Sequence, residues 1–137
     1  MRRFPAIARE LAGQPFVWGW SDCTAVVLRA LSELTGVDHL RAARRGDTWS
    51  SPRSALTFIA RHGGFARYLR ATLPRASWDA RPELSVAVMP GRALAPSYLL
   101  WRAAALTSAP RCGVIVIPAM RVPTCCELYE VPTCRRQ

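Results

Sequence analysis

The sequence predicts an α+β domain in which N-terminal helices pack on a small C-terminal antiparallel sheet. Two observations carry that reading. In the first half the apolar residues recur at helical spacing, and in the second they alternate or run in short β-branched blocks bounded by proline and glycine. A length of 137 residues, half of them hydrophobic, suits one domain with a modest core spanning residues 1–137.

Taken in order, Phe4 to Leu11 reads as a short helix stopped at Gly13-Gln14-Pro15. Pro15 to Trp20 is an extended or turning aromatic segment. Ser21 and Asp22 are good N-cap residues for the best-defined helix, about Cys23 to Leu34. Its apolar positions Val26, Val27, Ala30, Leu31 and Leu34 share a face, and Gly36 ends it. Val37 to Ser51 is polar and arginine-rich, with a turn at Arg45-Gly46-Asp47. Ser51-Pro52 opens a second helix with apolar face Ala55, Leu56 and Ile59, closed by Gly63-Gly64. Phe65 to Thr72 is a third, shorter helix. Leu84 to Met89 alternates like a strand, and Gly113 to Ile117 reads as a buried strand with Glu127 to Val131 as its antiparallel partner. Ser97 to Thr107 fits either helix or strand.

The formal charge is +10, with arginine as the sole basic residue apart from histidine; lysine and asparagine are absent. Arginine-only usage matches the codon bias of a GC-rich genome. A polyanion partner is the functional alternative, with arginines densest at Arg41–Arg45 and Arg135-Arg136. No helix-turn-helix, zinc-finger or RNP pattern accompanies them, so nucleic acid is not the expected partner and charge complementarity within a larger assembly is preferred. Arginines interrupt every apolar run before the roughly 18 residues a membrane helix needs. The N-terminus carries charges too early for the apolar middle of a signal peptide, so a protein made in a cytoplasm is expected.

Five cysteines are present: Cys23 alone, then Cys112, Cys125, Cys126 and Cys134. Without a secretion signal, disulfides are not expected. The late four lack a C-x-x-C spacing, and small buried hydrophobes are the simpler reading; no metal ligand and no cofactor is assigned. Cys23 is different. A cysteine in the first turn of a helix meets unpaired N–H groups and the positive end of the helix dipole, which favour the thiolate. It is the candidate nucleophile, with Asp22 as its helix cap, and a buried small hydrophobe is the structural alternative. Trp18 and Trp20 read as core anchors or as walls of a groove, and Trp49, Trp78 and Trp101 as interface anchors.

The run Phe16-Val17-Trp18-Gly19-Trp20-Ser21-Asp22-Cys23-Thr24, followed by Leu34-Thr35-Gly36-Val37-Asp38, resembles the bacteriophage-tail relatives of the NlpC-type cysteine peptidases. These share an aromatic-Trp-Gly-x-x-Asp-Cys approach to the nucleophile helix and a Thr-Gly-x-Asp exit. The Arg45-Gly46-Asp47-Thr48-Trp49 stretch is similar to the family's Arg-Gly-aromatic segment, and Ser54 to Phe65 follows its pattern too. The likeness is strongest over residues 4–70, with 71–137 a divergent, strand-rich half. It implies a papain-like scaffold, a substrate groove at Trp18, Gly19 and Trp20, and a place in a phage tail tip or tail assembly beside other tail proteins. It also implies a virion location after synthesis in the bacterial host. In active relatives the thiol attacks peptidoglycan while a histidine on a later strand takes the proton. Here His39 and His62 both precede every predicted strand, and each reads as a surface or helix-end residue. The expectation is a tail structural protein with an incomplete catalytic site. The alternatives are an active peptidoglycan hydrolase using Cys23 during infection and a basic nucleic-acid-binding module.

Overall fold

A computed structural model describes residues 2–91 and 94–132. Among the described residues five α-helices precede all the strands: α1 (Phe4–Leu11), α2 (Cys23–Thr35), α3 (His39–Arg44), α4 (Pro52–His62) and α5 (Gly64–Thr72). Six strands follow: β1 (Arg75–Ala76), β2 (Leu84–Val88), β3 (Ser97–Trp101), β4 (Ala104–Ala109), β5 (Gly113–Pro118) and β6 (Glu127–Glu130). They form one sheet in the order β1-β6-β2-β3-β4-β5, with every neighbouring pair antiparallel. The α+β class is therefore as expected.

Helix α2 is the organising element. Val26, Val27, Ala30 and Leu31 are fully buried against the sheet with Ile7 of α1, Leu69 of α5 and Val86, Leu99, Leu106 and Tyr129 of the strands. Its opposite side, Ala25 and Leu28, packs on Leu40, Trp49 and Ala55. A helix buried on both sides is apolar over most of its surface, which is why α2 reads as the central helix of the chain. The far face of the sheet carries a smaller cluster, Ala87, Leu100, Ala105 and Leu128, roofed by Ala119, Val122 and Cys126.

The outer edge of β5 is partly closed by the segment leaving α1. Gly13 N–H donates to Val114 C=O, and Val114 N–H donates to Gln14 C=O, both at 2.9 Å. Gly113 permits that approach: its φ is +70°, and a Cβ there would fall 2.2 Å from the Gln14 carbonyl oxygen.

Two expectations are corrected and one open alternative is decided. Glu127 to Val131 does not pair with the Gly113 strand; β6 lies between β1 and β2, where Leu128 and Tyr129 are buried among other strands. Strand pairing depends on topology, which alternation alone does not encode. The Val37 to Ser51 loop contains α3, capped by the Asp38 side chain accepting from Arg41 N–H. The ambiguous Ser97 to Thr107 segment is a β3–β4 hairpin turning at Arg102, whose φ is +53°.

His39 is likewise not a surface residue. It is 6% exposed, and its ring bonds Tyr68 Oη through Nδ1 (2.6 Å) and Thr35 Oγ1 through Nε2 (3.1 Å). Thr35 already donates its hydroxyl hydrogen to Leu31 C=O, so Nε2 carries the proton and Nδ1 accepts from Tyr68. Burial lowers the His39 pKa below its ordinary value, against a smaller opposing pull from Asp38. The unfolded chain then binds more protons near pH 6, so this contribution to stability is complete above the ordinary histidine pKa of about 6.5 and is lost as pH falls through it. Urea unfolding at pH 7.5 and 5.5 should show wild type losing more stability between the two values than His39→Gln. Equal losses would show that His39 does not titrate on unfolding.

Candidate functional site

The site is built on one tight turn. Val17 C=O accepts from three successive N–H groups, those of Trp20, Ser21 and Asp22. The Ser21 hydroxyl donates to Pro15 C=O and accepts from Val17 N–H. This turn delivers Asp22 to the start of α2, where its carboxylate is 3% exposed and meets three donors. Oδ1 accepts from Ala25 N–H (2.8 Å); Oδ2 accepts from Gly19 N–H (2.6 Å) and from Trp49 Nε1–H (2.7 Å). The N-cap role expected of Asp22 is thus present, with a wider network behind it.

Gly19 has φ +82°, and a Cβ on it would lie 1.9 Å from the Trp49 carbonyl oxygen. Its own carbonyl accepts from the Arg44 guanidinium. Trp49, expected as an interface anchor, is instead 7% exposed and serves as an internal bolt between α4 and the turn. Trp101 stacks on Phe4 (5.5 Å between ring centres), and Trp78 Nε1–H donates to Cys126 C=O (2.9 Å), so these too are tied internally.

Cys23 is the first residue of α2. Its S–H points to Ala95 C=O, 3.7 Å away in the loop before β3. The N–H and hydroxyl of Ser97, at the start of β3, lie against the same sulfur and favour its thiolate, but burial outweighs them and the Asp22 carboxylate adds to it, so the thiol pKa is raised. The Ser97 hydroxyl is buried and makes no well-formed hydrogen bond. Thr107 on β4 fixes the strand beneath it by donating to Ser97 C=O (2.8 Å).

Neither histidine bonds the sulfur. His39 is held by Tyr68 and Thr35. His62 reaches the Asp47 carboxylate through Nε2 (3.3 Å), beside the Arg61–Asp47 ion pair (2.8 Å). Between Asp22 and His62 stand two packed rings: Trp49 against Phe58 at 4.8 Å, and Phe58 against His62 at 4.5 Å.

Cys23 borders an open cavity of about 790 Å³ between the helices and the β2–β3 loop. Of the expected groove residues, Trp18 lines it, edge-on to Phe16 at 4.9 Å. Gly19 and Trp20 do not. Gly19 is interior, and Trp20 is 53% exposed beneath the Arg29 guanidinium, 3.8 Å from its ring.

The late cysteines do not converge. Cys112 and Cys125 are exposed, Cys126 is buried with its thiol pushed up to about 11 by burial first and by Cys125 second, and Cys134 lies outside the described residues, as does Arg135-Arg136. Among the described residues no group of three histidine, cysteine or acidic side chains is placed to hold a metal ion.

Sequence reasoning missed Ser97, Ala95 and Trp49. Trp49 carries a faint signal, an indole N–H that requires a partner once buried. Ser97 and Ala95 carry none, because only the hairpin brings them to α2.

Removing the Asp22 carboxylate leaves three donors without an acceptor. Asp22→Ala should cost about 3 kcal/mol or more in chemical unfolding, since each stranded buried donor costs about 1–3 kcal/mol. Gly19→Ala should be comparably damaging because its Cβ collides with backbone. A loss below about 1 kcal/mol in both variants would show that the turn is not the anchor described.

A family model described as Domain of unknown function (DUF6950) matches residues 1–120. No curated protein and no solved structure matches the chain.

Proposed function

We propose that this chain, which belongs to the family described as DUF6950, is a bacteriophage tail-tip or tail-assembly structural protein on a cysteine-peptidase-like scaffold whose catalytic site is incomplete. One observation carries the reading: the sulfur of Cys23 faces Ser97 and Ala95 rather than a base. Cysteine hydrolysis needs a thiolate, generated either by a depressed pKa or by a neighbouring general base. Here burial raises the thiol pKa, and the strand position across from the sulfur holds a serine.

The layout supports the papain-like part of the proposal. A cysteine opens a helix that is buried across antiparallel strands, with the strand start directly opposite, as the resemblance of residues 4–70 implies. The turn residues that carry that resemblance, Trp18-Gly19 and Asp22-Cys23, are the ones whose geometry is most constrained. What remains of such a site without its base is a shaped, apolar recess beside an inert thiol, suited to docking on other tail proteins in the virion.

The cavity is what favours the second reading, an active peptidoglycan hydrolase, since it offers room for a substrate at Cys23. The two separate on activity. Purified protein should release no soluble peptides from peptidoglycan, and Cys23→Ala should assemble into infectious virions as wild type does. Release that disappears in Cys23→Ala would establish the hydrolase instead.

The placement of Ser97 has its own test. A histidine there would stand beside the sulfur, and its imidazolium would stabilise the thiolate. Ser97→His should raise the alkylation rate of Cys23 at pH 7 by about tenfold, the change that one pKa unit confers. An unchanged rate would mean that this position does not address the thiol.

A further inference from the structure

The cavity beside Cys23 combines features that specify its occupant more narrowly than its apolar walls do. Phe16, Trp18, Phe58, Ile59, Phe65 and Leu94 supply a large apolar lining. At about 790 Å³ it falls within the roughly 300–1,000 Å³ typical of sites that hold a ligand.

Its charge is one-sided. Arg45, Arg67 and His62 line it, and Asp22 is the single acid. Both Asp22 oxygens are committed to the three donors of the turn, so Asp22 makes no ion pair with either arginine. His62 is engaged by Asp47. Arg45 and Arg67 take part in no ion pair among the described residues. Two uncompensated guanidiniums on an apolar wall call for carboxylate, which they match as planar, two-pronged donors.

The floor makes a different demand. The N–H groups of Cys23 and Thr24 open α2, where no intrahelical carbonyl reaches them. These are donors for a neutral acceptor, because the buried Asp22 carboxylate beside them disfavours a second anion.

We infer that the cavity is the seat of an extended peptide segment from another protein, apolar and bearing at least one acidic side chain. Its backbone carbonyls meet the floor at Cys23 and Thr24, its apolar side chains fill the aromatic walls, and its carboxylate meets Arg45 and Arg67. A fatty acid, with a polar group at one end alone, satisfies either the arginines or the floor. A nucleic-acid strand needs a positively charged groove that tracks its backbone, which two arginines do not make. The choice of a protein as the source rests on the docking role proposed above.

The test is to pan a random linear heptapeptide library on the full-length native protein and measure the selected peptides against wild type and Arg45→Gln/Arg67→Gln. Both arginines are exposed, so the double variant should fold as wild type, checked by its melting temperature. Selected peptides should share an aspartate or glutamate flanked by aromatic or aliphatic residues, and should bind the double variant at least about tenfold more weakly, the loss expected of a charge-assisted contact. Peptides lacking an acid, peptides indifferent to the double variant, or no enrichment at all would overturn the proposal. So would selective, arginine-dependent binding of dodecanoate or of a single-stranded RNA oligomer in place of peptide. Mass spectrometry of the bound peptides keeps the two readings apart. Cleavage that requires Cys23 would refute the non-catalytic reading and leave peptide recognition standing, whereas intact protein that binds no peptide would do the reverse.

Discussion

The carboxylate of Asp22 joins three parts of the chain directly and a fourth at one remove. Through Ala25 it caps α2, through Gly19 it closes the preceding turn, and through the Trp49 indole it fastens the segment leading into α4. The turn in turn holds Arg44 of α3, by way of the Gly19 carbonyl. A buried ionised group persists only when its hydrogen-bonding capacity is met, and here a low-dielectric setting strengthens each of its bonds. Because α2 packs on the sheet with one side and on α3 and α4 with the other, its starting point sets the position of both layers.

That constraint also decides what the sulfur experiences. A helix start ordinarily favours a thiolate through its dipole and free N–H groups. In this fold the same start is roofed by the loop before β3, and the acid that caps it sits beside the thiol. Desolvation and a neighbouring negative charge both favour the protonated form. A motif that in sequence reads as an activated nucleophile therefore lies, in this fold, where burial favours the protonated thiol. The recess next to it remains, with aromatic walls from the helical half and two arginines that make no ion pair among the described residues.

How much of this was legible in the sequence follows from the range of the interactions. Helices α1, α2 and α4 announce themselves through local signals: proline at the first turn, Asp22 and Ser51 as caps, and glycines at the ends. The Trp-Gly-x-x-Asp-Cys turn is local as well, and Asp22 caps the helix as its position requires. Strand partners are set by long-range order, so β6 was legible as a strand but not as the neighbour of β2. The short α3 hides among arginines that conceal its single buried turn at His39 and Leu40. In the site, Trp49 lies 27 residues from the carboxylate it bonds, and Cys23 lies 72 residues from the Ala95 carbonyl its thiol faces. No spacing rule spans such distances.

Whether Cys23 is held as an unactivated thiol is read from the pH dependence of its alkylation in the native protein. Iodoacetamide labelling followed by peptide mass spectrometry isolates this cysteine from Cys112 and Cys125, whose exposed thiols serve as internal references. Cys23 should react more slowly than both at neutral pH and reach half its limiting rate above the ordinary cysteine pKa of about 8.5. A thiolate that titrates near or below neutrality would contradict it, and would mean that the start of α2 activates the sulfur after all.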